Sequence, residues 1–381
     1  MRDFTHIFEG VDDPRRGNAT RHDLTDMLMI ALLGMICGAE TCSDMARFGR
    51  AREDLLRKFL SLKHGIPGHD AFSDLFAILD PAGVNRALSR LAGDWADTLE
   101  GTVAAIDGKT PRRSFSDAAA RSPLHLVQAF AVGAKRVPGQ VRVDARSNEI
   151  TAIPALPDLL DIEGATATAD AMHTRRSTSE AIIARGGDHV PALKGNQETL
   201  NDDVRLFMED PGMAEHIGES REMVEKDHGR IETRKARVRT DVGWLQEALE
   251  RDWPGLAAIG SVEARREIRG RLERETRHFI MSGAMTPERF MSAVRAHWGI
   301  ENSLHWVLDV TMNEDSQRNR VGRGAENLAM LRRMTLNLAR KMPEERKTSM
   351  RSKLKRASWD DRIPMKVIGA ANKIGNAAKM Q

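Results

Sequence analysis

Two short apolar runs each stop on an acid: TVAAID over residues 102–107, and ATATA over 165–169 followed by Asp170. A strand covered on both faces must be apolar along its length. Such strands leave the sheet at their carboxyl ends, where open α/β sheets build their sites. LHLVQAFAV (124–132) and QVRVD (140–144) read as further strands, residues 150–160 and 177–184 have helical period, and residues 188–193 form a strand closing on Lys194-Gly195-Asn196. Three strands, a helix, a strand, a helix and a strand specify an α/β unit with a mixed sheet flanked by helices.

The flanks differ in character. Residues 1–95 read as a helical domain. Within it MLMIALLGMICGA, 13 uncharged residues from Met27 to Ala39, falls short of the roughly 18 that span a bilayer and predicts a buried helix. Shorter helices broken at Gly65-Ile66-Pro67-Gly68 and Asp80-Pro81, with Arg47, Arg50, Arg52, Arg57, Lys58 and Lys63 nearby, outline either a DNA-reading helix-turn-helix or a plain packing domain. Residues 198–275 read as a strand-rich insertion, from the alternation of RIETRKARVR (230–239) and a further strand at 257–264. Strand character returns at 276–281, and Thr286-Pro287 caps a long helix. The catalytic-type α/β domain is thus assigned to 96–197 and 276–340. Residues 341–381 read as a basic tail: between 340 and 356 eight Lys and Arg face only Glu344 and Glu345, which suits a polyanion or a solvated basic helix.

The 381 residues are 30% charged and 41% hydrophobic with a formal net charge of +3. That is globular composition without a strong overall field. Cys37 and Cys42 make neither a CxxC motif nor a disulfide framework, and MRDFTHIFEG lacks the apolar stretch of a signal peptide. A reducing, cytoplasmic setting and no membrane association are expected.

HWGIENSLHW, residues 297–306, carries the third acid. Read as a helix, His297, Glu301 and His305 share one face beside an apolar stripe of Ile300, Leu304, Val307 and Leu308. A carboxylate buried there, between two indoles, needs a partner, a metal or a proton. Asp107, Asp170 and Glu301 could converge on hard cations, Mg²⁺ or Mn²⁺, paired as in phosphoryl transfer. Equally, Asp at strand ends is commonplace in turns. A zinc site on His297, Glu301 and His305 lacks the HExxH spacing and any Cys.

AAIDGKT around Asp107, TADAMH around Asp170, GDHVPALKGNQETL from Gly187 and HWGIENSLHWVLDVTMNED from His297 together resemble the DDE transposases of bacterial insertion sequences, in the H-repeat-associated branch. FEGVDDPRRG and HGIPGHDAFSDLF near the N-terminus fit the helical domain attached to such enzymes, so the resemblance spans nearly the whole chain. It implies a ribonuclease H-like catalytic fold with Asp107, Asp170 and Glu301 as catalytic, metal-holding acids. The 131 residues between Asp170 and Glu301 match the insertion of similar transposases. It implies two Mg²⁺ ions, with Mn²⁺ able to substitute, DNA as partner (element ends and target), and a homo-oligomer in the DNA complex. Water would free a 3′-hydroxyl at the element end, and that hydroxyl would attack target DNA. Lys109, Lys194, Asn196 and His305 are candidates for DNA contact or support, as are His228 and Arg230 in the insertion. Pro111, Arg113, the His173-Thr174-Arg175 continuation and His189 depart from the family pattern without touching the acids. Two rival readings share these residues: a decayed relative that binds DNA without turnover, and a metal-dependent nuclease without strand transfer.

Overall fold

The computed structural model describes residues 6–93, 101–112, 124–143, 162–171, 174–210, 220–227, 230–248, 253–268, 271–342, 344, 346 and 348–369. The helical reading of 150–160 and the candidates Arg113, His173 and His228 lie outside the described residues.

A nine-stranded sheet in the order β3-β2-β1-β4-β5-β9-β8-β7-β6 organises the chain. β1 (Val103–Lys109) pairs antiparallel with β2 (His125–Ala131), and β2 antiparallel with β3 (Arg136–Val143). On its other side β1 runs parallel to β4 (Thr166–Ala169), and β4 parallel to β5 (Asp188–Leu193). The strands read as an insertion do not form a sheet of their own. β9 (Arg271–Met281) pairs with β5, and β8 (Ala258–Ile268), β7 (Arg230–Arg239) and β6 (Ser220–Asp227) follow outward, all antiparallel. β6, SREMVEKD, has no apolar alternation to announce it. Its charges suit an edge strand, where they discourage pairing with another chain.

Among the described residues five α-helices precede the sheet: α1 (Leu24–Ile36), α2 (Cys42–Ala51), α3 (Glu53–Leu56), α4 (His69–Ile78) and α5 (Pro81–Gly93). Asp23 caps α1 by accepting the Asp26 N–H, and every residue from Met27 to Ile36 is buried. A helix apolar all round has no face to turn to water and becomes a core element. α2 starts with a full capping box between Thr41 and Asp44. α6 (Arg176–Ile183), α7 (Glu198–Glu209), α8 (Gly243–Ala248) and α9 (Pro287–Ile300) lie between or after the strands, and α10 (Gly324–Arg340) packs against α1.

α10 joins the two halves through buried side chains. Asn327 donates to the carbonyls of Phe76 (2.9 Å) and Leu79 (3.0 Å) at the end of α4. Asn337 brackets Val137 of β3, accepting its N–H at 3.0 Å and donating to its carbonyl at 2.9 Å. One apolar core accordingly contains Leu28 and Leu75 of the helical part, Ala105 and Phe130 of the sheet, and Leu304 and Leu308 beyond α9. Residues 350–367, read as part of a basic tail, fold back as α11 (Met350–Trp359) and α12 (Arg362–Val367). Leu354, Ala357, Met365 and Val367 are buried in the same core, and Lys353 is buried and paired with Glu344. No described helix is long and apolar enough to cross a membrane.

Burial pushes the Cys37 thiol up to about 12 and the Cys42 thiol up to about 11. At pH 8 the thiolate of Cys37 is then populated to only about 10⁻⁴, against roughly a quarter for a free cysteine. Iodoacetamide at pH 8 should label the native protein at least ~100-fold more slowly than the urea-unfolded chain. Rapid native labelling, followed by mass spectrometry, would show that these thiols are open.

Candidate active site

β1 and β4 place two acids side by side. Their parallel pairing ends at Ile106 opposite Ala169, so Asp107 and Asp170 are the next residues on adjacent strands, whose spacing is about 5 Å. β1 itself does not stop at Asp107 as the sequence suggested. It runs on to Lys109 because β2 continues to pair with it, setting Gln128 opposite Asp107. Asp107 Oδ1 accepts the Gly108 N–H at 2.8 Å. Alternation turns Ala105, Asp107 and Lys109 to one face, toward the helical core, and Ile106 to the other.

Glu301 arrives from the segment after α9. Thr286 caps that helix, accepting the Arg289 N–H, with Pro287 in the first turn. At Glu301 the helix widens into two π-helical turns, Glu301–His305 and Val307–Thr311. The Trp306 N–H reaches the Glu301 carbonyl and the Met312 N–H the Val307 carbonyl. The wider turn keeps Ile300, Leu304 and Leu308 buried while Glu301 and His305 stack toward the end of β1. Glu301 is not buried as its place beside the apolar stripe implied: its side chain is 69% exposed, so solvation needs no compensation there.

Among the described residues, ligand atoms of Asp107, Glu301 and His305 lie within 4.8 Å of one another, and Asp170 falls outside that set. His305 Nδ1 sits 3.4 Å from Glu301 Oε2 and 3.7 Å from Asp107 Oδ2. Burial pushes the imidazole below its ordinary range against the opposing pull of Glu301. Asp170 Oδ1 is 3.7 Å from Lys194 Nζ. Asn196 donates to the Ala171 carbonyl at 2.6 Å, tying the turn after β5 to the residue after Asp170. His297, the first member of the motif, turns instead to Thr168, with its Nδ1 3.1 Å from the hydroxyl. It shares a small cleft with Asp170, Arg277 and Trp298. Arg234 and Arg277 lie over the Trp298 ring at 5.2 and 5.1 Å, holding β7 and β9 against α9.

Lys109 is taken up by other carboxylates than the three acids. Its ammonium lies 2.7 Å from both oxygens of Asp309 and 4.0 Å from Glu314. Burial raises the Asp309 carboxyl despite that lysine. Arg230 begins β7, across from Asp227 and Ile268. Sequence reasoning passed over Gln128, Glu314 and Arg333, which are buried behind the acids. Of the three only Gln128, a polar residue inside the apolar run LHLVQAFAV, carried a sign that could have marked it. A cavity of about 900 Å³ lies elsewhere, in the N-terminal helical part beside Arg21, Asp26, Lys63 and His64.

Two carboxylates with oxygens within 4.8 Å of one another and a third at the neighbouring strand end form an oxygen donor set that reaches solvent at Glu301. It suits a hard divalent cation and not a thiolate-seeking one. Comparison with known proteins agrees in kind. The Transposase DDE domain matches residues 99–338 and the DDE_Tnp_1-associated region matches residues 5–92. The "Uncharacterized protein in dhlA 3'region" of Xanthobacter autotrophicus is 43% identical over 288 residues, 74% of this chain and 95% of that protein. The H repeat-associated putative transposase YhhI of Escherichia coli K12 is 33% identical over 356 residues, 92% of this chain and 93% of its own. A cryo-EM structure of the piggyBac transposase synaptic complex with hairpin DNA aligns over 98% of this chain and 77% of its own. Its TM-score is 0.37 at 12% identity, too loose a likeness to bear on mechanism. The chain belongs to the Transposase DDE domain family, whose H-repeat-associated members are among its relatives.

Proposed function

We propose that the chain is an active transposase that cleaves DNA at insertion-sequence ends and joins them to target DNA, with Asp107, Asp170 and Glu301 as its catalytic acids. The observation that carries this reading is the parallel register that sets Asp107 beside Asp170, with an oxygen of Glu301 within 4.8 Å of one of Asp107. The donor set fits Mg²⁺, with Mn²⁺ able to substitute, and two ions held among the three acids. When bound, such ions supply the charge that activates water and stabilises the leaving oxygen in phosphodiester cleavage. The chain's own residues do the positioning. Asp107 and Asp170 are fixed by the sheet, and Glu301 by the π turn. Lys194, beside Asp170, is poised to trade its carboxylate partner for a DNA phosphate. Asn196 holds the turn that carries Lys194.

The strand order β3-β2-β1-β4-β5, with only β2 opposed to β1, β4 and β5, supports a ribonuclease H-like domain over 96–197 and 276–340. In this reading β6–β8 are an outgrowth of its edge, and residues 1–95 are an associated helical part. DNA is the partner, and joining two element ends calls for at least a dimer. Arg230 on β7, together with Arg351 and Lys355 on α11, both exposed, are proposed to meet the backbone.

The test is incubation of the full chain with the flanking element ends, Mg²⁺ and a target plasmid, mapping nicks and joined products. Nicks at the element termini and joined products are expected, both lost with a chelator. Binding without any nick in Mg²⁺ or Mn²⁺ would sink the reading in favour of a decayed DNA binder. Nicks that never yield joined products would leave only a nuclease.

A further inference from the structure

Behind the exposed acids runs a chain of fully buried polar groups. Glu314 and Arg333 form a two-pronged ion pair, with Glu314 Oε2 3.2 Å from Arg333 Nη2 and Oε1 against Nη1. Arg333 Nη1 also donates to the Ala329 carbonyl at 3.0 Å. The third guanidinium nitrogen, Nε, donates to Gln128 Oε1 at 3.1 Å. Gln128 Nε2 in turn lies 2.7 Å from His305 Nε2. Gln128 and Arg333 are each 0% exposed.

The chemistry of the donors fixes the sense of this chain. A guanidinium has donors only, so the group of Gln128 facing Arg333 must be its carbonyl oxygen. The amide nitrogen, a donor, is thereby turned to His305, whose Nε2 has to accept. A protonated Nε2 would set two donors head to head at 2.7 Å between two buried side chains. The single ring proton is left on Nδ1, which faces Glu301 and Asp107.

We propose that Arg333 and Gln128 are positioning residues that hold His305 as the Nδ1-protonated neutral imidazole, making it a hydrogen-bond donor to the catalytic carboxylates and not a metal ligand. A ring nitrogen of His305 lies within 4.8 Å of oxygens of Asp107 and Glu301, but its Nδ1 lone pair is occupied by a proton and its Nε2 by Gln128. Its Nδ1–H instead steadies Glu301, an exposed side chain that would otherwise lose about 1.5–2 kcal/mol of rotamer freedom on being fixed. Metal-holding groups are commonly oriented by such partners. The inference rests on the assignment of Asp107 and Glu301 as metal-holding acids.

The test reads the proton itself. Side-chain ¹⁵N spectra of the full chain labelled at histidine, without metal or DNA, should show His305 with Nδ1 protonated and Nε2 bare. The resonances are assigned by their loss in His305→Asn. Gln128→Glu places a carboxylate between Arg333 and His305 and should protonate Nε2, while Gln128→Met should release the preference. An unsubstituted protein with Nε2 protonated overturns the proposal, whatever the variants do. In cleavage, Gln128→Glu should raise the Mg²⁺ concentration for half-maximal rate by about 10-fold, with DNA binding unchanged. An unchanged Mg²⁺ requirement in a variant whose tautomer has switched also overturns it. The tautomer is measured without turnover, so a chain that cleaves nothing but shows the bare Nε2 would sink the proposed activity and leave the positioning role intact.

Discussion

Asp107→Asn, Asp170→Asn and Glu301→Gln are each expected to lower Mg²⁺-dependent cleavage of element ends by about 10³-fold or more, equivalent to about 4 kcal/mol of barrier, while the protein stays folded and binds DNA. Each change replaces an anionic oxygen by a neutral amide of nearly the same shape, so a hard cation loses charge and donor together. The fold has little at stake in these side chains. Asp107 Oδ1 accepts the Gly108 N–H, which an amide oxygen can also do. Asp170 has Lys194 at 3.7 Å as an ion-pair partner, and Glu301 is largely in water. A thermal-shift series in Mg²⁺ separates the site from the fold. Unsubstituted protein should gain stability with rising Mg²⁺, because a ligand that binds only the native state stabilises it in proportion to the logarithm of its concentration. The variants should melt at the metal-free temperature throughout. A normal cleavage rate from any one of the three, or a full Mg²⁺-induced shift, removes that residue from the site.

Why two of these acids could be read from sequence and the third only in part is a matter of period. A buried parallel strand demands uninterrupted apolar residues, so VAAI before Asp107 and ATATA before Asp170 announce the two strands, and β4 does stop before its acid while β1 runs on to Lys109. Glu301 was placed on an α-helix, and there the period misled. Ile300, Leu304, Leu308 and Met312 recur every four residues, and all are buried. An α-helix advances about 40° too far in each such step, so over three steps the stripe would wander about 120° off the core. A helix closing its hydrogen bonds at i+5 absorbs the surplus, as the turns at Glu301–His305 and Val307–Thr311 do. The strict spacing of four was the available signal. With α-geometry assumed, Glu301 seemed pressed against the apolar stripe and in need of a compensating partner. In the structure it looks outward.

Other features were illegible for different reasons. The basic composition of residues 340–356 suggested a free tail, but Leu354 and Ala357 need only two small apolar faces to dock α11 on the core, and charge counting hides two residues among ten. The same docking changes how DNA affinity should be probed, since deleting the segment would expose core surface. Lys109 was read as a rim residue past the end of the strand, whereas β1 runs through it, and no local pattern could say that Asp309, 200 residues later, would claim its ammonium. Gln128, Glu314 and Arg333 lie in three separate segments, and no local pattern records a network that exists only once β2, the turn after Thr311 and α10 have packed together.

That network sets the second large effect. Glu314→Ala is expected to destabilise the protein by about 3–5 kcal/mol, because it strands the Arg333 guanidinium in a site with no access to water. Burial works to raise the Glu314 carboxyl, but the Arg333 charge beside it more than offsets this and holds it below the ordinary range. The sign of the pH dependence follows. A carboxyl more acidic in the folded than in the unfolded chain stabilises the fold at pH values above the unfolded value, about 4.3. That contribution fades as pH falls through the folded value. Unfolding by urea should therefore show unsubstituted protein losing stability as pH falls below about 4.3, with this part of the slope absent in Glu314→Ala. The large single-variant penalty comes from an unpaired charge and not from the net worth of the pair, so removing both partners should recover much of it. Glu314→Leu combined with Arg333→Met should be more stable than Glu314→Ala by at least about 1 kcal/mol. It should nevertheless lose the bare Nε2 signature of His305, since nothing then holds the Gln128 amide to one orientation. A double variant no more stable than the single one would mean that the segment is held by packing around Glu314, with the ion pair secondary.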